Sequence, residues 1–324
     1  MMNATKSRPV DMVRTGEQNE FLHDVLHGLS CKPKRLPCKY FYDLRGSQLF
    51  DRICLLEEYY VTRTEVEIMN QSIQQIATAL GEHVLLLEFG SGSSTKTLQL
   101  LQHCQQLAGY VPVDISAEHL QNTARQLQEQ FPKLVIKPLA ADFTQPLVIP
   151  KVSDPSQRKV VYFPGSTIGN FTPAKATALL RQIALEVDAG GGLLIGIDLV
   201  KDTNVLEAAY NDSQGITAAF NLNLLRRINR ELHGTFRVDL FQHRAHFDTS
   251  HNRIEMHLIS KVPQVVSVAN NPFQFAAQET ICTEYSHKYV LTDFLQMAAG
   301  AGFAYDQHWT DPQSYFAIIH LVAK

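Results

Sequence analysis

The chain has 324 residues, 45% of them apolar and 19% charged, the composition of a soluble globular protein long enough for two domains or one large one. With 29 basic and 32 acidic side chains the net charge is -3 and the pI about 6.5, so no basic footprint marks a nucleic-acid partner. Five scattered cysteines, Cys31, Cys38, Cys54, Cys104 and Cys282, read as free thiols of a reducing compartment, and with no membrane-length apolar run and no signal-peptide core the expected place is the cytoplasm.

Residues 1–16 are polar and expected to be loose. Phe21, Val25, Leu26 and Leu29 have helical spacing, which predicts a helix over 17–30. A basic, proline-containing loop follows at 31–37, then the aromatic run Lys39-Tyr40-Phe41-Tyr42-Asp43 and a short helix over 46–55. Thr62-Arg63-Thr64-Glu65 fits a capping box opening a helix to about Leu80. From there strands (84–89, 109–114, 134–139, 159–164, 192–198) alternate with helices (95–107, 117–130, 173–188). This βα repetition predicts a parallel sheet covered on both faces. After Asp198 the pattern changes. One or two helices are expected over 204–232. Period-2 alternation at 236–247 and 253–262 predicts a β-hairpin, with Phe236, Val238 and Leu240 set against Ile254, Met256 and Leu258. A helix at 291–301 and strands near 303–309 and 315–323 return to the first sheet.

The strand Leu85-Leu86-Leu87-Glu88-Phe89 runs into Gly90-Ser91-Gly92, and the next strand ends on Asp114. A strand, a glycine turn and an acid closing the neighbouring strand frame a nucleotide site: the glycines admit close backbone approach and the acid accepts from ribose hydroxyls. A dinucleotide needs a third glycine, where this chain has Thr95. Glu88 suits a cation and would repel a phosphate, so E-x-G-x-G favours S-adenosylmethionine (SAM) over NAD. Lys96, at the helix start, could meet the cofactor carboxylate. Asp142 and Phe143, after the third strand, are placed to accept from an adenine amine and pack its ring. Gly165-Ser166-Thr167-Ile168-Gly169-Asn170 follows the fourth strand, over the reacting centre of such a fold. Tyr40, Tyr42, Tyr59 and Tyr60 form a cluster of phenols whose faces attract cations and whose oxygens can position an amine. Glu284 could read a polar ring, although a lone acid in a strand pattern is more often a surface residue. His243 and His246 lie on opposite faces of a strand, so no metal is expected. No nucleophile motif supports hydrolase chemistry.

Pro37…Lys39-Tyr40-Phe41-Tyr42-Asp43…Gly46-Ser47…Leu49-Phe50-Asp51, Glu58-Tyr59-Tyr60…Thr62-Arg63-Thr64-Glu65, Glu88-Phe89-Gly90-Ser91-Gly92, the 165–170 loop, Asp198-Leu199-Val200-Lys201-Asp202 and Thr283-Glu284 together resemble the histidine-specific Nα-methyltransferases of ergothioneine biosynthesis. The resemblance runs from about residue 17 to the end. It implies a Rossmann-like SAM-dependent methyltransferase sheet (62–201 with 290–324) and a second, α+β substrate domain (1–61 with 202–289). SAM would be held by Gly90, Lys96, Asp114, Asp142 and Phe143, beside Glu88 and Gly92. Tyr59, Asn170 and Tyr210 would hold the carboxylate and amine of L-histidine. Glu284 and Ser286 would read the imidazole in a pocket lined by Met256, and Tyr42 would sit near the amine. Tyr285 and His287, which flank the Glu-Ser pair, are bulkier than the pattern expects. The implied reaction is trimethylation of the α-amine to hercynine, with Tyr42 and Tyr59 orienting the amine. An indole substrate would leave Glu284 unpaired, at a cost of about 1–3 kcal/mol. Rival readings are an N-methyltransferase for another amino acid such as a tryptophan derivative, an NAD-dependent oxidoreductase, and a non-catalytic binding protein. With no coiled coil or long apolar helix face, a monomer is expected.

Overall fold

The computed structural model describes residues 10–92, 95–104, 106–152 and 157–324. The βα repetition becomes a seven-stranded sheet in the order Phe303–Thr310, Phe316–Ala323, Gly192–Asp198, Lys159–Phe163, Leu85–Phe89, Gly109–Asp114, Leu139–Ala140. The last five are mutually parallel. Phe316–Ala323 runs antiparallel to Gly192–Asp198, and Phe303–Thr310 closes that edge against it. The sheet is therefore of the SAM-methyltransferase type, α/β with an antiparallel C-terminal hairpin.

The buried runs explain the register. Every residue of Leu85–Phe89 and Gly192–Asp198 is enclosed, as for parallel strands covered on both faces. Leu87, Phe89, Val161, Phe163, Leu193 and Ile195 share one core with Leu180 and Ile183 of the helix Pro173–Val187 and with Phe294 of the helix Leu291–Gly300. The helix Tyr60–Leu80 packs on Gly192–Asp198 and Phe316–Ala323. Leu85–Phe89 lies between the strand that follows it and Lys159–Phe163, a later one. The strand order reverses there, and in open α/β sheets ligands bind outside the carboxyl ends of the strands at that point.

The chain divides into two compact units. Among the described residues, the larger holds those within 51–212, 247–254 and 285–324, and the smaller those within 10–50, 213–246 and 255–284. Tyr59 and Tyr210, expected in the substrate domain, thus belong to the larger unit. In the smaller unit the helix Ile216–Leu232 is fixed to the aromatic run: Asn223 Nδ2 donates to Asp43 Oδ1 at 2.8 Å, and Phe41 packs on Phe220 with ring centroids 4.6 Å apart. A four-stranded sheet has the order Lys34–Arg35, Thr280–His287, Arg253–Ser260, Phe241–Asp248.

Several local expectations are corrected. The first helix begins at Val10, so residues 10–16 are helical, while 1–9 lie outside the described residues. The loop 31–37 contains a short strand, Lys34–Arg35. Thr62–Glu65 does not cap a helix: the helix starts at Tyr60, and Glu65 is fully enclosed. Val238–Leu240 forms a 3-10 turn in place of the hairpin's first positions. The hairpin Gln264–Val268 with Asn271–Phe275 was not foreseen. The third parallel strand, expected over 134–139, shrinks to Leu139–Ala140 and a bridge at Ile136.

Candidate functional site

Asp114 closes one parallel strand, and Gly90, Asp142 and Asn170 come after the carboxyl ends of three others. Gly90 has φ +72° and donates its N–H to Val113 O at 2.9 Å, which ties the turn to the neighbouring strand. A side chain there would be strained. A Cβ on Gly90 would touch Phe143 Cε1 at 4.0 Å, so the bare glycine and the phenyl ring form adjacent walls. Gly92 is half-buried, and its carbonyl lies 3.4 Å from His119 Nε2. Ser93 and Ser94 lie outside the described residues. Phe143 stacks on Phe89 at 5.3 Å and meets Phe163 edge-on at 5.4 Å. The Phe143 ring is thereby held rigidly with part of its surface open. Asp114 Oδ1 accepts from Ser116 N at 2.8 Å, and burial raises its carboxyl pKa against that hydrogen bond. Asp142 Oδ1 accepts from Thr144 N at 2.9 Å and Thr144 Oγ1 at 2.6 Å. Each acid is oriented by its own turn. A glycine wall, a fixed aromatic face and two oriented carboxylates fit an adenosine with a cationic tail.

Glu88 points elsewhere than expected. Strand alternation sends Leu87 and Phe89 into the core and Glu88 to the opposite face. There its carboxylate accepts from Thr97 Oγ1 at 2.8 and 2.7 Å and from Tyr110 OH. It is 2% exposed, and burial lifts its pKa to about 7. Glu88 thus pins the helix after the glycine turn to the sheet.

Lys96 Nζ meets Glu65 Oε2 at 2.5 Å, and Glu65 also accepts from Gly165 N at 3.0–3.1 Å. One buried acid therefore joins the helix Tyr60–Leu80, the helix after the glycine turn and the loop after the fourth strand. Glu65 was missed because its sequence context imitates a capping box. In that loop Gly165 and Ser166 take positive φ, and Ser166 Oγ accepts from Asp198 N at 2.9 Å. A Cβ on Gly169 would come within 2.8 Å of His287 O. Only glycine lets this loop, and with it the half-buried Asn170, lie against that strand end.

A second network fills the end of Gly192–Asp198. Asp198, with no exposure, accepts from Tyr60 OH at 2.7 and 2.9 Å, from Lys288 Nζ at 2.8 Å and from Lys201 Nζ. Lys288, also wholly buried, donates to Ser286 Oγ at 2.8 Å and Tyr210 OH at 3.0 Å. Tyr210 OH and Ser286 Oγ are themselves 2.8 Å apart, and Tyr59 packs edge-on against Tyr210 at 6.1 Å. Burial alone would raise the Asp198 value and lower that of Lys288. Their mutual attraction, helped by Lys201 and by Tyr210 respectively, outweighs burial and keeps both charged. Burial draws Lys201 down to about 8 against Asp198. The structure thus joins Tyr210 and Ser286, predicted from separate segments, through a lysine that the sequence reading did not single out. Its signal was its place two residues after Ser286, on the same face of the chain.

In the smaller unit Tyr42 is half-buried, edge-on to Phe220 at 5.8 Å and to Phe50 at 5.7 Å. Met256 is 2% exposed, and its carbonyl accepts from Thr283 Oγ1 at 3.1 Å. Glu284 is half-buried and two residues before Ser286 on Thr280–His287, so strand alternation gives both the same face. The bulk flanking this pair is placed elsewhere. The Tyr285 ring lies under the Arg253 guanidinium at 3.8 Å, and His287 is buried with its pKa lowered to about 4, burial being the main cause.

The profile of the family described as "Histidine-specific methyltransferase, SAM-dependent" matches residues 21–323. The histidine N-alpha-methyltransferase of Mycolicibacterium smegmatis is 41% identical over 301 residues, covering 91% of this chain and 92% of that protein. The enzyme of the same name from Mycobacterium tuberculosis is 40% identical, covering 93% and 94%. The N-methyltransferase imqF of Aspergillus flavus is 25% identical over 96% of this chain and 88% of its own. With the profile spanning nearly the whole chain and two relatives near 40% identity, the chain belongs to the SAM-dependent histidine-specific methyltransferases.

Proposed function

We propose that this enzyme transfers three methyl groups in succession from SAM to the α-amine of L-histidine, giving hercynine for ergothioneine biosynthesis, and that it acts in the cytoplasm as a monomer. The observation that carries the substrate assignment is the network Tyr210–Ser286–Lys288–Asp198, which fixes two polar groups beside Tyr59 and on the strand that bears Glu284. A half-buried carboxylate with a serine two residues on suits the two nitrogens of an imidazole, where an indole offers a single N–H.

Bound SAM supplies an activated methyl on a sulfonium. The chain's own residues do the rest. Asp114 would accept hydrogen bonds from the ribose hydroxyls, and Asp142 and Phe143 would hold the adenine. Lys96, paired with Glu65, would meet the cofactor carboxylate. Glu88 stays inside and supports the turn. Asn170 and Tyr210 hold the substrate carboxylate, while Tyr42 and Tyr59 orient the α-amine, which must be neutral to attack in line. Each transfer releases one proton from nitrogen, passed through water or a phenol to solvent. Positioning and desolvation supply most of the rate, because the donor is already activated.

Calorimetry and kinetics on two variants separate the halves of this reading. Glu284→Ala is expected to raise the histidine KM roughly 10- to 100-fold, matching about 1–3 kcal/mol for an unpaired imidazole, with native SAM affinity. Asp114→Ala is expected to weaken SAM with little change in histidine recognition. Unchanged histidine turnover in the first, or native SAM binding in the second, contradicts the assignment of that residue.

A further inference from the structure

The hairpin of Phe241–Asp248 and Arg253–Ser260 carries a group of side chains that the methyl transfer does not use. Glu255 and His257 share one face of their strand, opposite the buried Ile254, Met256 and Leu258. His257 Nε2 lies 3.0 Å from Glu255 Oε2, and His246 Nε2 lies 3.9 Å from the same oxygen. The two imidazole rings stack at 5.2 Å with an interplanar angle of 19°. One donor atom from each of the three residues falls within 4.8 Å of the other two.

A plain ion pair would need one imidazole. Here two converge on a single carboxylate, and if both were protonated their stacked rings would repel. Two imidazoles about one carboxylate leave a place for a shared cation. This is the donor set of zinc and other late first-row divalent ions. Donors around four-coordinate zinc sit about 3.3 Å apart, given bonds of about 2.0–2.1 Å, so side-chain adjustments on the order of 1 Å close the three on one ion.

We propose that His246 Nε2, the Glu255 carboxylate and His257 Nε2 bind a divalent transition-metal ion, with water completing its coordination. Ligation through Nε2 requires the His257 tautomer that carries its proton on Nδ1, an atom buried without a hydrogen-bond partner, which lowers the affinity. The ion bridges both strands of the hairpin and stiffens the strand whose other face carries Met256. The positive charge of Arg244 opposes the ion, so affinity falls below that of a closed structural zinc site.

The test is titration of the EDTA-treated full-length protein with Zn2+ by calorimetry and with Co2+ by visible absorption. One equivalent is expected to bind with micromolar Kd, and Zn2+ is expected to raise Tm. His246→Ala, at a side chain 41% exposed, keeps the fold by circular dichroism, and both it and Glu255→Gln weaken binding roughly tenfold or more. His27→Ala is the control, because His27 stacks on His23 at 6.4 Å and has Cys31 Sγ 3.9 Å from its Nε2. Binding no tighter than millimolar, or binding lost in His27→Ala and kept in His246→Ala, overturns the proposal.

Discussion

Glu88 shows how a residue can be placed by its strand against the reading of its motif. Its carboxylate is enclosed by Thr97 and Tyr110, and its pKa rises from 4.5 to about 7 through burial. The folded protein keeps a proton there that the unfolded chain releases above its own lower value. Stability from this group is therefore full below pH 4.5 and falls as pH rises to about 7, by on the order of 3 kcal/mol. Glu88→Gln has no proton to lose. The melting temperature of the native protein relative to this variant is expected to fall between about pH 5 and 8; a constant difference would contradict the buried-acid account. Lys288 is the converse case, a buried cation that remains charged because Asp198 and Tyr210 surround it. Lys288→Met leaves polar partners unmatched and is expected to cost about 3–5 kcal/mol. The folded fraction should show a raised histidine KM with unchanged SAM affinity. A variant with native Tm and native KM would show that Tyr210 and Ser286 are held by other means.

The elements of the large sheet were legible because their sequence signals are local. Leu85–Phe89 and Gly192–Asp198 are continuous apolar runs bounded by glycine turns, and the helices between them carry one apolar stripe each. Glycine turns and strand-end acids are likewise local, so Gly90 and Asp114 could be picked out as candidates from spacing, while Asp142 was picked out by the place such a residue takes in SAM-binding folds. What escaped depends on distant partners. Glu65 meets Lys96 and Gly165, Lys288 meets Asp198, and His246 meets Glu255 across a hairpin. No periodicity within one segment reports such pairs, and at Thr62–Glu65 a local pattern pointed to the wrong partner. Gly196 makes the same point for packing between elements. A Cβ on this strand residue would lie 2.5 Å from Glu65 Oε1 and 2.8 Å from Phe316 Cζ. Gly196→Ala is expected to destabilise by about 1–3 kcal/mol through overpacking and, by displacing Glu65 from Lys96, to weaken SAM binding. Thermal denaturation with SAM titration checks both, and native values in both would remove Glu65 from the account.

For the whole molecule, membership of the family fixes the cofactor and the substrate class, and the sheet topology explains why the residues proposed to hold the cofactor gather at the carboxyl ends of its strands. In the proposed reading the carboxylate of Glu284 and the hydroxyl of Ser286 carry the choice of histidine over an indole amino acid. Among the described residues no helix is long and apolar enough to cross a membrane. The most direct test of the central claim is mass spectrometry of the purified protein incubated with SAM and each of the twenty standard amino acids in parallel. A product from histidine alone, heavier by three methyl groups, is the predicted result. Methylation of tryptophan or another amino acid in place of histidine would contradict the reading of Glu284, and no product from any would contradict the proposed reaction.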